Sequence, residues 1–158
     1  MRVGIGYDSH RFDPGPPGRP LILGGVVIPH DHCLIGHSDA DAICHALTDA
    51  ILGAASLGDI GQMFPDTDPK WKDADSVKLL TQANLAVAGA GHHFVQADIT
   101  VIAEAPKLAR HIDAMQQRLA DALAVGASAI SIKGKTNEGM GWIGRGEGVA
   151  VIAVATLA

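Results

Sequence analysis

The segment 36–49, which reads GHSDADAICHALTD, restricts the fold of this chain more than any other part of the sequence. Ser38 is a favourable N-cap residue, and Asp41 three positions later completes a capping-box pattern, so the segment predicts the start of a helix. Apolar residues recur at every fourth position from Ile43 to Ile51 and form a stripe on one side of that helix. This side is expected to face the hydrophobic core.

A second stripe on the same predicted helix is polar. Asp41, His45 and Asp49 also recur at every fourth position, but on a different face. A partly buried carboxylate or imidazole is costly without a partner, so core packing alone does not account for this face. The helix is therefore expected to contact the core on one side and a functional site on the other, with His45 as a candidate metal ligand.

The composition is that of a globular protein without a strong charge of either sign. The chain has 158 residues, which predicts one domain over residues 1–158. Its 12 basic and 17 acidic side chains give a formal net charge of −5, which argues against a surface for nucleic acid or anionic membranes. The sequence has neither the apolar core of a signal peptide nor an apolar run of membrane-spanning length. A soluble, cytoplasmic protein is the default expectation.

Two further candidate ligands lie near the N-terminus. Residues 2–7 alternate weakly in hydropathy and predict a strand that ends at Asp8-Ser9-His10. In a strand, Asp8 and His10 point to the same face. A carboxylate oxygen and an imidazole nitrogen are both zinc ligands, and with His45 they make a set of three. Three protein ligands and an open fourth position are typical of a catalytic zinc site.

The rest of the chain predicts strands and helices in mixed order. Leu21–Ile28 is predicted to be a hairpin that turns at Gly24-Gly25, and 57–69 is predicted to be irregular. Further helices are predicted over 75–88 and 108–125, and further strands over 94–103, 130–133 and 149–156. Because the last strand is apolar on both faces, both should be covered, by a helix layer or by a neighbouring subunit. Polar side chains are common in exposed loops, and this is the interpretation given to His30, His32, His92 and His93.

Several polar segments favour phosphate as a ligand. The helix start at His37-Ser38 and the glycine-rich stretches around Lys135 and Arg145 offer backbone amides and cationic groups. Glu138 is suited to a second, hard cation such as Mg²⁺ shared with substrate phosphates. A P-loop is excluded because Ala129 occupies the position of its first glycine. From this chemistry alone, the sequence predicts a metal-dependent enzyme that acts on a phosphorylated small molecule.

Several short motifs follow one another from one end of the chain to the other. They are Gly6-Tyr7-Asp8-Ser9-His10, His37-Ser38-Asp39-Ala40-Asp41, His45-Ala46-Leu47-Thr48-Asp49-Ala50, Leu57-Gly58-Asp59-Ile60-Gly61, Phe64-Pro65-Asp66-Thr67-Asp68, Ala105-Pro106-Lys107, Thr136-Asn137-Glu138 and Gly144-Arg145-Gly146-Glu147-Gly148. This ordered set resembles the 2-C-methyl-D-erythritol 2,4-cyclodiphosphate synthases of the non-mevalonate isoprenoid pathway. Any one motif is weak, but all occur in the family's order.

The resemblance implies an α+β fold, with a mixed four-stranded sheet, helices on one face, and sheets packed around the threefold axis of a homotrimer. It implies active sites between adjacent subunits, and we hypothesise that the metal site lies on one subunit and the cytidine pocket on its neighbour. The implied reaction is cyclisation of 4-diphosphocytidyl-2-C-methyl-D-erythritol 2-phosphate with release of CMP. A zinc-dependent phosphohydrolase and a non-catalytic cytidine-nucleotide binding module remain as alternatives.

The resemblance also implies roles for individual residues. Zinc, or another divalent transition metal, would bind Asp8, His10 and His45, and Glu138 would bind Mg²⁺ or Mn²⁺ with the substrate diphosphate. His37 and Thr136 match positions assigned to transition-state stabilisation. The positions that match substrate contacts are Asp8, Ser9, His10, His37, Ser38, Asp59, Ile60, Gly61, Phe64, Pro65, Asp66, Thr67, Asp68, Ala103, Glu104, Ala105, Pro106, Lys107, Leu108, Ala109, Lys135, Thr136, Asn137, Glu138, Trp142 and Arg145.

Overall fold

A computed structural model describes all 158 residues as six strands and five helices joined by loops and short 3₁₀ turns. The strands are β1 (Arg2–Arg11), β2 (Leu21–Leu23), β3 (Val26–Ile28), β4 (Phe94–Ile102), β5 (Ile130–Lys135) and β6 (Gly148–Leu157). The helices are α1 (Ala42–Ala55), α2 (Ile60–Met63), α3 (Ser76–Gly89), α4 (Ile112–Leu123) and α5 (Gly141–Gly144). None of these helices combines the length and hydropathy needed to cross a membrane.

The main sheet has four strands in the order β1-β6-β4-β5. β6 pairs antiparallel with both β1 and β4, whereas β4 and β5 are parallel, so the predicted mixed sheet is confirmed. It follows from these pairings that β1, β4 and β5 all run in the same direction. Their C-terminal ends therefore lie at one end of the sheet. Asp8-Ser9-His10 on β1 and Lys135 on β5 are both located at this end.

The predicted hairpin is confirmed as β2 and β3, but the prediction of an irregular segment over 57–69 is wrong. That segment contains α2, and a 3₁₀ turn over Pro69–Trp71 begins at its end. The physical reason is capping, because Asp59 and Asp68 each accept a backbone N–H at the start of one of these turns. The helix predicted from residue 108 begins at Ile112, since residues 109–111 form a 3₁₀ turn instead.

Two glycines let α1 lie directly against β1. Gly4 and Gly6 share the face of β1 that carries Asp8 and His10, because alternate residues of a strand point the same way. A β-carbon on Gly6 would stand 1.8 Å from the carbonyl oxygen of Ala46, and one on Gly4 would stand 2.1 Å from that of Ala50. The backbone of α1 thus packs directly on β1 at Gly4 and Gly6, where the strand has no side chains. His45 of α1 lies next to this contact and meets the side chains of Asp8 and His10 on β1.

The start of α1 differs from the prediction, since the N-cap is Asp41 and not Ser38. Asp41 is fully buried and its carboxylate accepts hydrogen bonds from the backbone N–H groups of Ile43 and Cys44, and from those of Gly24 and Gly25 in the hairpin turn. Ala40 has a left-handed backbone (φ 59°), which prevents the helix from starting earlier. One buried carboxylate therefore both starts α1 and fixes the β2–β3 hairpin to it.

The hydrophobic core lies between the sheet and α1, α3 and α4, on one face of the sheet. The other face is open along β1 and β6: Val3, Ile5 and Tyr7 have exposed fractions of 65%, 70% and 56%, and Val154 of 38%. The expectation that both faces of the last strand are covered is therefore not met within one chain, and no helix layer lies on the outer face. The helices on one face of the sheet agree with the predicted fold class.

Candidate functional site

Three side chains from β1 and α1 converge at the end of the sheet. The Oδ2 atom of Asp8 lies 2.9 Å from Nε2 of His10 and 3.1 Å from Nδ1 of His45, and these two nitrogens are 3.1 Å apart. Ligand atoms at about 2.0–2.1 Å from a tetrahedral zinc would be roughly 3.3 Å from one another. One carboxylate oxygen and two imidazole nitrogens at this spacing fit a divalent transition metal, and three protein ligands leave a position open for a substrate atom.

The orientation of His10 is set by its other ring nitrogen. Nδ1 of His10 lies 2.7 Å from the carbonyl oxygen of Ile35, and a carbonyl can only accept a hydrogen bond. Nδ1 therefore carries the proton, and the lone pair of Nε2 points toward Asp8 and His45. A hydrogen bond of this kind from the remote nitrogen is the usual support of a metal-binding histidine.

The charges of the cluster attract a cation. Burial raises the pKa of Asp8, but its contacts with His10 and His45 together lower it by more, so the net pKa is far below its usual range. Burial lowers the pKa of His10, but its hydrogen bond with Asp8, the charge of Asp8 and the hydrogen bond to Ile35 together raise it by more, to above 6.5. Asp8 is thus ionised at neutral pH. A proton on one of the two histidines and a metal ion compete to balance its negative charge.

A cavity of about 320 Å³ opens beside the cluster. Phe64 and Trp71 form an apolar wall with an edge-on contact, their ring centres 4.9 Å apart, opposite the polar cluster. The lining residues are Asp8, His10, His37, Ser38, His45, Ile60, Gly61, Phe64, Asp66, Trp71 and Leu79. Eight of the predicted site residues besides His45 thus lie around one cavity, on elements that are far apart in sequence.

Four of the residues predicted to contact substrate between positions 59 and 68 lie outside this lining, and two of them are engaged elsewhere. Asp59 accepts from the backbone N–H of Gln62, 2.8 Å away, as the N-cap of α2. Asp68 forms an ion pair with Lys70 at 2.9 Å, and that contact lowers the pKa of Asp68. Pro65 and Thr67 are absent from the cavity lining, as are Asp59 and Asp68. The loop 64–68 therefore presents Phe64 and Asp66 to the cavity.

The polar stripe on α1 has three different roles. His45 belongs to the donor cluster, as predicted, whereas Asp41 caps the helix. Asp49 accepts a hydrogen bond of 2.7 Å from the backbone N–H of Ile60, which ties the start of α2 to α1. Burial raises the pKa of Asp49, while the Ile60 hydrogen bond opposes the shift. Of the three side chains in the stripe, only His45 contributes to the donor cluster, and the two carboxylates hold the adjoining loops.

A second groove of about 450 Å³ lies at the C-terminal ends of β4 and β5. Its lining includes the predicted residues Ala103, Glu104, Pro106, Lys107, Leu108, Ala109, Lys135 and Thr136. Apolar side chains of Val101, Ile112 and Ile132 form its floor. A groove with an apolar floor and lysines at its rim is suited to a flat ring attached to phosphate.

Glu104 uses its side chain to hold the turn that follows β5. One carboxylate oxygen of Glu104 accepts from the backbone N–H of Asn137 at 2.9 Å and from that of Gly139 at 3.2 Å. Within this turn the hydroxyl of Thr136 donates to Glu138 at 3.0 Å, and Glu138 has a left-handed backbone (φ 51°). Glu104, which lines the groove, thus also holds the turn that carries Glu138.

The cavity and the groove are not joined within one chain. They lie at the same end of the sheet but on opposite edges, because β1 and β5 are separated by β6 and β4. At about 4.8 Å per strand, the edges are about 14 Å apart. Trp142 lies nearer the cluster, in a depression shared with Ser9 and His10, while Arg145 pairs with Glu147 at 2.6 Å.

Sequence reasoning missed several residues that shape the cavity. Trp71 and Leu79 line it, and Arg19 in the glycine- and proline-rich loop donates to the backbone carbonyls of Ser38 and Leu34. Ser76 at the first turn of α3 lies 2.9 Å from Nε2 of His45. No spacing in the sequence links these positions to the cluster, because their proximity arises only from tertiary packing. His30 stacks on Phe12, with ring centres 4.9 Å apart, outside the cavity.

Comparison with known proteins matches the chain along its whole length. The model of the YgbB family matches residues 1–158. The 2-C-methyl-D-erythritol 2,4-cyclodiphosphate synthase of Gemmatimonas aurantiaca is 57% identical over 99% of this chain and 93% of its own length.

Solved structures agree with this match. The bifunctional IspDF of Campylobacter jejuni superposes with a TM-score of 0.93 at 46% identity, over 99% of this chain and 42% of that longer one. A 2-C-methyl-D-erythritol 2,4-cyclodiphosphate synthase in a CDP-bound form gives a TM-score of 0.89 at 39% identity, over 99% and 100% of the two chains.

Proposed function

The chain belongs to the YgbB family, and on that basis we propose that it is a metal-dependent 2-C-methyl-D-erythritol 2,4-cyclodiphosphate synthase. The reaction converts 4-diphosphocytidyl-2-C-methyl-D-erythritol 2-phosphate to the cyclic diphosphate and CMP, and it makes the protein a phosphorus–oxygen lyase of non-mevalonate isoprenoid precursor synthesis. The observation that carries the proposal is the Asp8, His10 and His45 cluster at the mouth of a cavity, in a chain 57% identical to such a synthase.

The metal would be held by Asp8, His10 and His45, with zinc favoured by two nitrogen donors and one oxygen donor. When bound, it would supply a Lewis acid that polarises a phosphoryl oxygen. Glu138 is proposed to bind Mg²⁺ or Mn²⁺ together with the substrate diphosphate, since hard cations prefer oxygen ligands. Its φ of 51° holds the carboxylate on a tight turn beside the hydroxyl of Thr136.

The chemistry needs positioning more than it needs a base. A 2-phosphate oxygen forms the new bond to the β-phosphorus, the bond from that phosphorus to the bridging oxygen breaks, and CMP leaves with the electron pair. The attacking oxygen is already an anion, so no side chain has to remove a proton. Holding two such groups in line is worth about 7–11 kcal/mol in favourable intramolecular cases. His37 and Thr136 are proposed to stabilise the charge on the phosphoryl group in the transition state.

The remaining residues are proposed to hold the ends of the substrate. The cavity residues Ser38, Ile60, Gly61, Phe64 and Asp66 surround the methylerythritol phosphate. The groove formed by residues 103–109 takes the cytidine, and Lys107 and Lys135 at its rim offset the diphosphate charge. The CDP-bound state of a relative at 39% identity supports a cytidine diphosphate as the ligand.

The complete site is proposed to form between subunits of a homotrimer. The cavity and groove lie on opposite edges of the sheet, so the β5 edge of one protomer and the β1 edge of the next together supply both halves. The open face with Val3, Ile5 and Tyr7 supports burial around a threefold axis, because large exposed apolar patches are typical of interfaces. The sheet face left uncovered by helices would then be covered by the other subunits.

Mixed assemblies test this division. His45→Ala removes the metal half of a site and Lys107→Ala weakens the nucleotide half, so each variant alone should be inactive or nearly so. After unfolding and refolding together at equal amounts, random assembly restores an intact site in about one quarter of positions. Recovery to about this fraction of the wild-type rate is expected. No recovery at any mixing ratio would contradict a site shared between subunits.

The function itself is tested by phosphorus NMR of the protein with the diphosphocytidyl substrate, Zn²⁺ and Mg²⁺. The expected products are a cyclic diphosphate and CMP in equal amounts. Inorganic phosphate or a linear product would indicate a phosphohydrolase instead. Binding of CDP without turnover, in a folded and zinc-loaded sample, would indicate a nucleotide-binding module.

A further inference from the structure

We propose that Ser76 and Asp39 form a hydrogen-bond relay that fixes the tautomer of His45, so that Nδ1 of His45 is the ligand atom. The inference rests on the metal centre proposed above, but not on the cyclisation reaction. Neither residue touches the proposed substrate or metal positions, so both are positioning residues. Asp39 lies in the loop before α1 and Ser76 in the first turn of α3. Both act on His45, which belongs to α1.

The relay is continuous, and its central hydroxyl is shielded from solvent, while Asp39 is partly buried. Oγ of Ser76 lies 2.9 Å from Nε2 of His45 and also hydrogen-bonds Oδ1 of Asp39. The second carboxylate oxygen of Asp39 accepts from the backbone N–H of Ser76 at 3.0 Å. Ser76 is fully buried, so water does not compete for its hydroxyl. Asp39 also accepts the N–H of Asp41 at 3.2 Å, which holds its carboxylate at the start of α1.

The direction of each proton follows from the chemistry of the groups. An ionised carboxylate can only accept, so the hydroxyl proton of Ser76 goes to Asp39. A lone pair of Ser76 Oγ is then left for His45, and the hydrogen bond requires a proton on Nε2. A metal-binding imidazole carries only one proton, so Nδ1 of His45 is consequently the nitrogen left to bind the metal, and it lies 3.1 Å from both Asp8 and His10.

A second hydroxyl beside His45 does not fix the tautomer. Oγ of Ser38 is 3.0 Å from Nε2 of His45 and accepts the backbone N–H of Ala40 at 3.2 Å. Its own proton is not taken by a carboxylate, so Ser38 can turn to match either tautomer. The coupling to a carboxylate distinguishes Ser76 from Ser38, and it is the reason that the relay is assigned to Ser76.

Zinc affinity of the purified protein, measured by competition with a chromophoric chelator, tests the relay in Ser76→Ala. Losing this kind of support typically weakens metal binding by about 10–100-fold, and that loss is expected here. Thr48→Val is the matched control, because Thr48 is buried on the same helix as His45 and its hydroxyl has no hydrogen-bond partner. It should bind zinc like the wild type. Wild-type affinity in a folded Ser76→Ala would overturn the proposal.

A measurement on the unchanged protein covers the case in which Ser76→Ala fails to fold. Long-range proton–nitrogen NMR of the zinc-loaded wild type reports which nitrogen of His45 carries the proton. A protonated Nε2 is expected, and a protonated Nδ1 would overturn the relay. His45→Ala should abolish zinc binding at this site. If it did not, the metal centre itself would be wrong, which separates the failure of the relay from the failure of the proposed function.

Discussion

Gly6 of β1 lies so close to Ala46 of α1 that a β-carbon on the glycine would stand 1.8 Å from the alanine carbonyl oxygen. This contact sets the distance between helix and strand, and His45 precedes Ala46 by one position. The same face of β1 carries Asp8 and His10 two and four positions later. The donor cluster therefore depends on a helix–strand contact that contains no functional group.

Gly6→Ala is expected to destabilise the protein by about 3 kcal/mol or more, because backbone atoms on both sides have to move. It should also weaken zinc binding, since α1 would be displaced from β1. Gly53→Ala is the control on the same helix, where a β-carbon would meet nothing within 4 Å. It should stabilise the protein by about 0.5–1 kcal/mol through helix propensity. Urea unfolding measures both changes, and equal effects of the two substitutions would contradict this packing.

Asp41→Ala should cost more than the loss of an ordinary helix cap. Its carboxylate accepts four backbone N–H groups in a fully buried position, two from α1 and two from the hairpin turn. Caps alone contribute about 0.5–2 kcal/mol, and each buried donor left without a partner costs about 1–3 kcal/mol. Asp75→Ala, which removes the single cap contact of α3 to Val77, should cost about 1 kcal/mol. Thermal unfolding measures the loss of stability in both variants. Similar losses for Asp41→Ala and Asp75→Ala would count against the dual role of Asp41.

Zinc binding should weaken as the pH falls through the raised pKa of His10. The metal needs a neutral imidazole, so below that pKa it has to displace a proton, and affinity should fall by about tenfold per pH unit. Chelator competition between pH 6 and pH 8 measures this slope. An affinity independent of pH in this range would contradict His10 as a ligand.

The stability of the metal-free protein should change in the opposite direction. A histidine whose folded pKa exceeds 6.5 contributes stability that is present below 6.5 and lost as the pH rises through the folded pKa. The metal-free protein is thus expected to lose stability on going from pH 6.5 to pH 8, whereas the zinc-loaded protein should gain it. Unfolding curves with and without a chelator make the comparison.

Glu104→Ala should lower the turnover rate by roughly 10–100-fold, because hydrogen bonds to a charged acceptor are worth about 1.5–3 kcal/mol and two are lost from the turn at Glu138. Glu104→Gln keeps an acceptor oxygen and should stay close to the wild-type rate. The affinity for CMP, which is proposed to occupy the neighbouring groove, gives a second readout. If the glutamine variant is as inactive as the alanine variant, Glu104 acts through its charge and not by holding the turn.

Local patterns in the sequence predicted most of the fold. The alternation on β1, the hairpin glycines and the stripes of α1 each follow from short-range rules, and the cluster follows from Asp8, His10 and His45. The capping box at Ser38 was wrong because Ala40 takes a left-handed backbone (φ 59°), a feature no spacing rule indicates. Ser76 and Trp71 could not be found because their partners are distant in sequence. The division of the site residues between two pockets depends on strand order, which sequence periodicity does not specify.

The metal centre is tested by a zinc titration of metal-free protein, followed by measurement of CMP release from the diphosphocytidyl substrate with Mg²⁺ present. We expect the rate to rise in proportion to bound zinc, to reach its limit at one zinc per chain, and to be absent in His45→Ala at every zinc concentration. Full activity in protein without zinc or a replacement metal, or an active His45→Ala variant, would contradict a metal centre built from Asp8, His10 and His45.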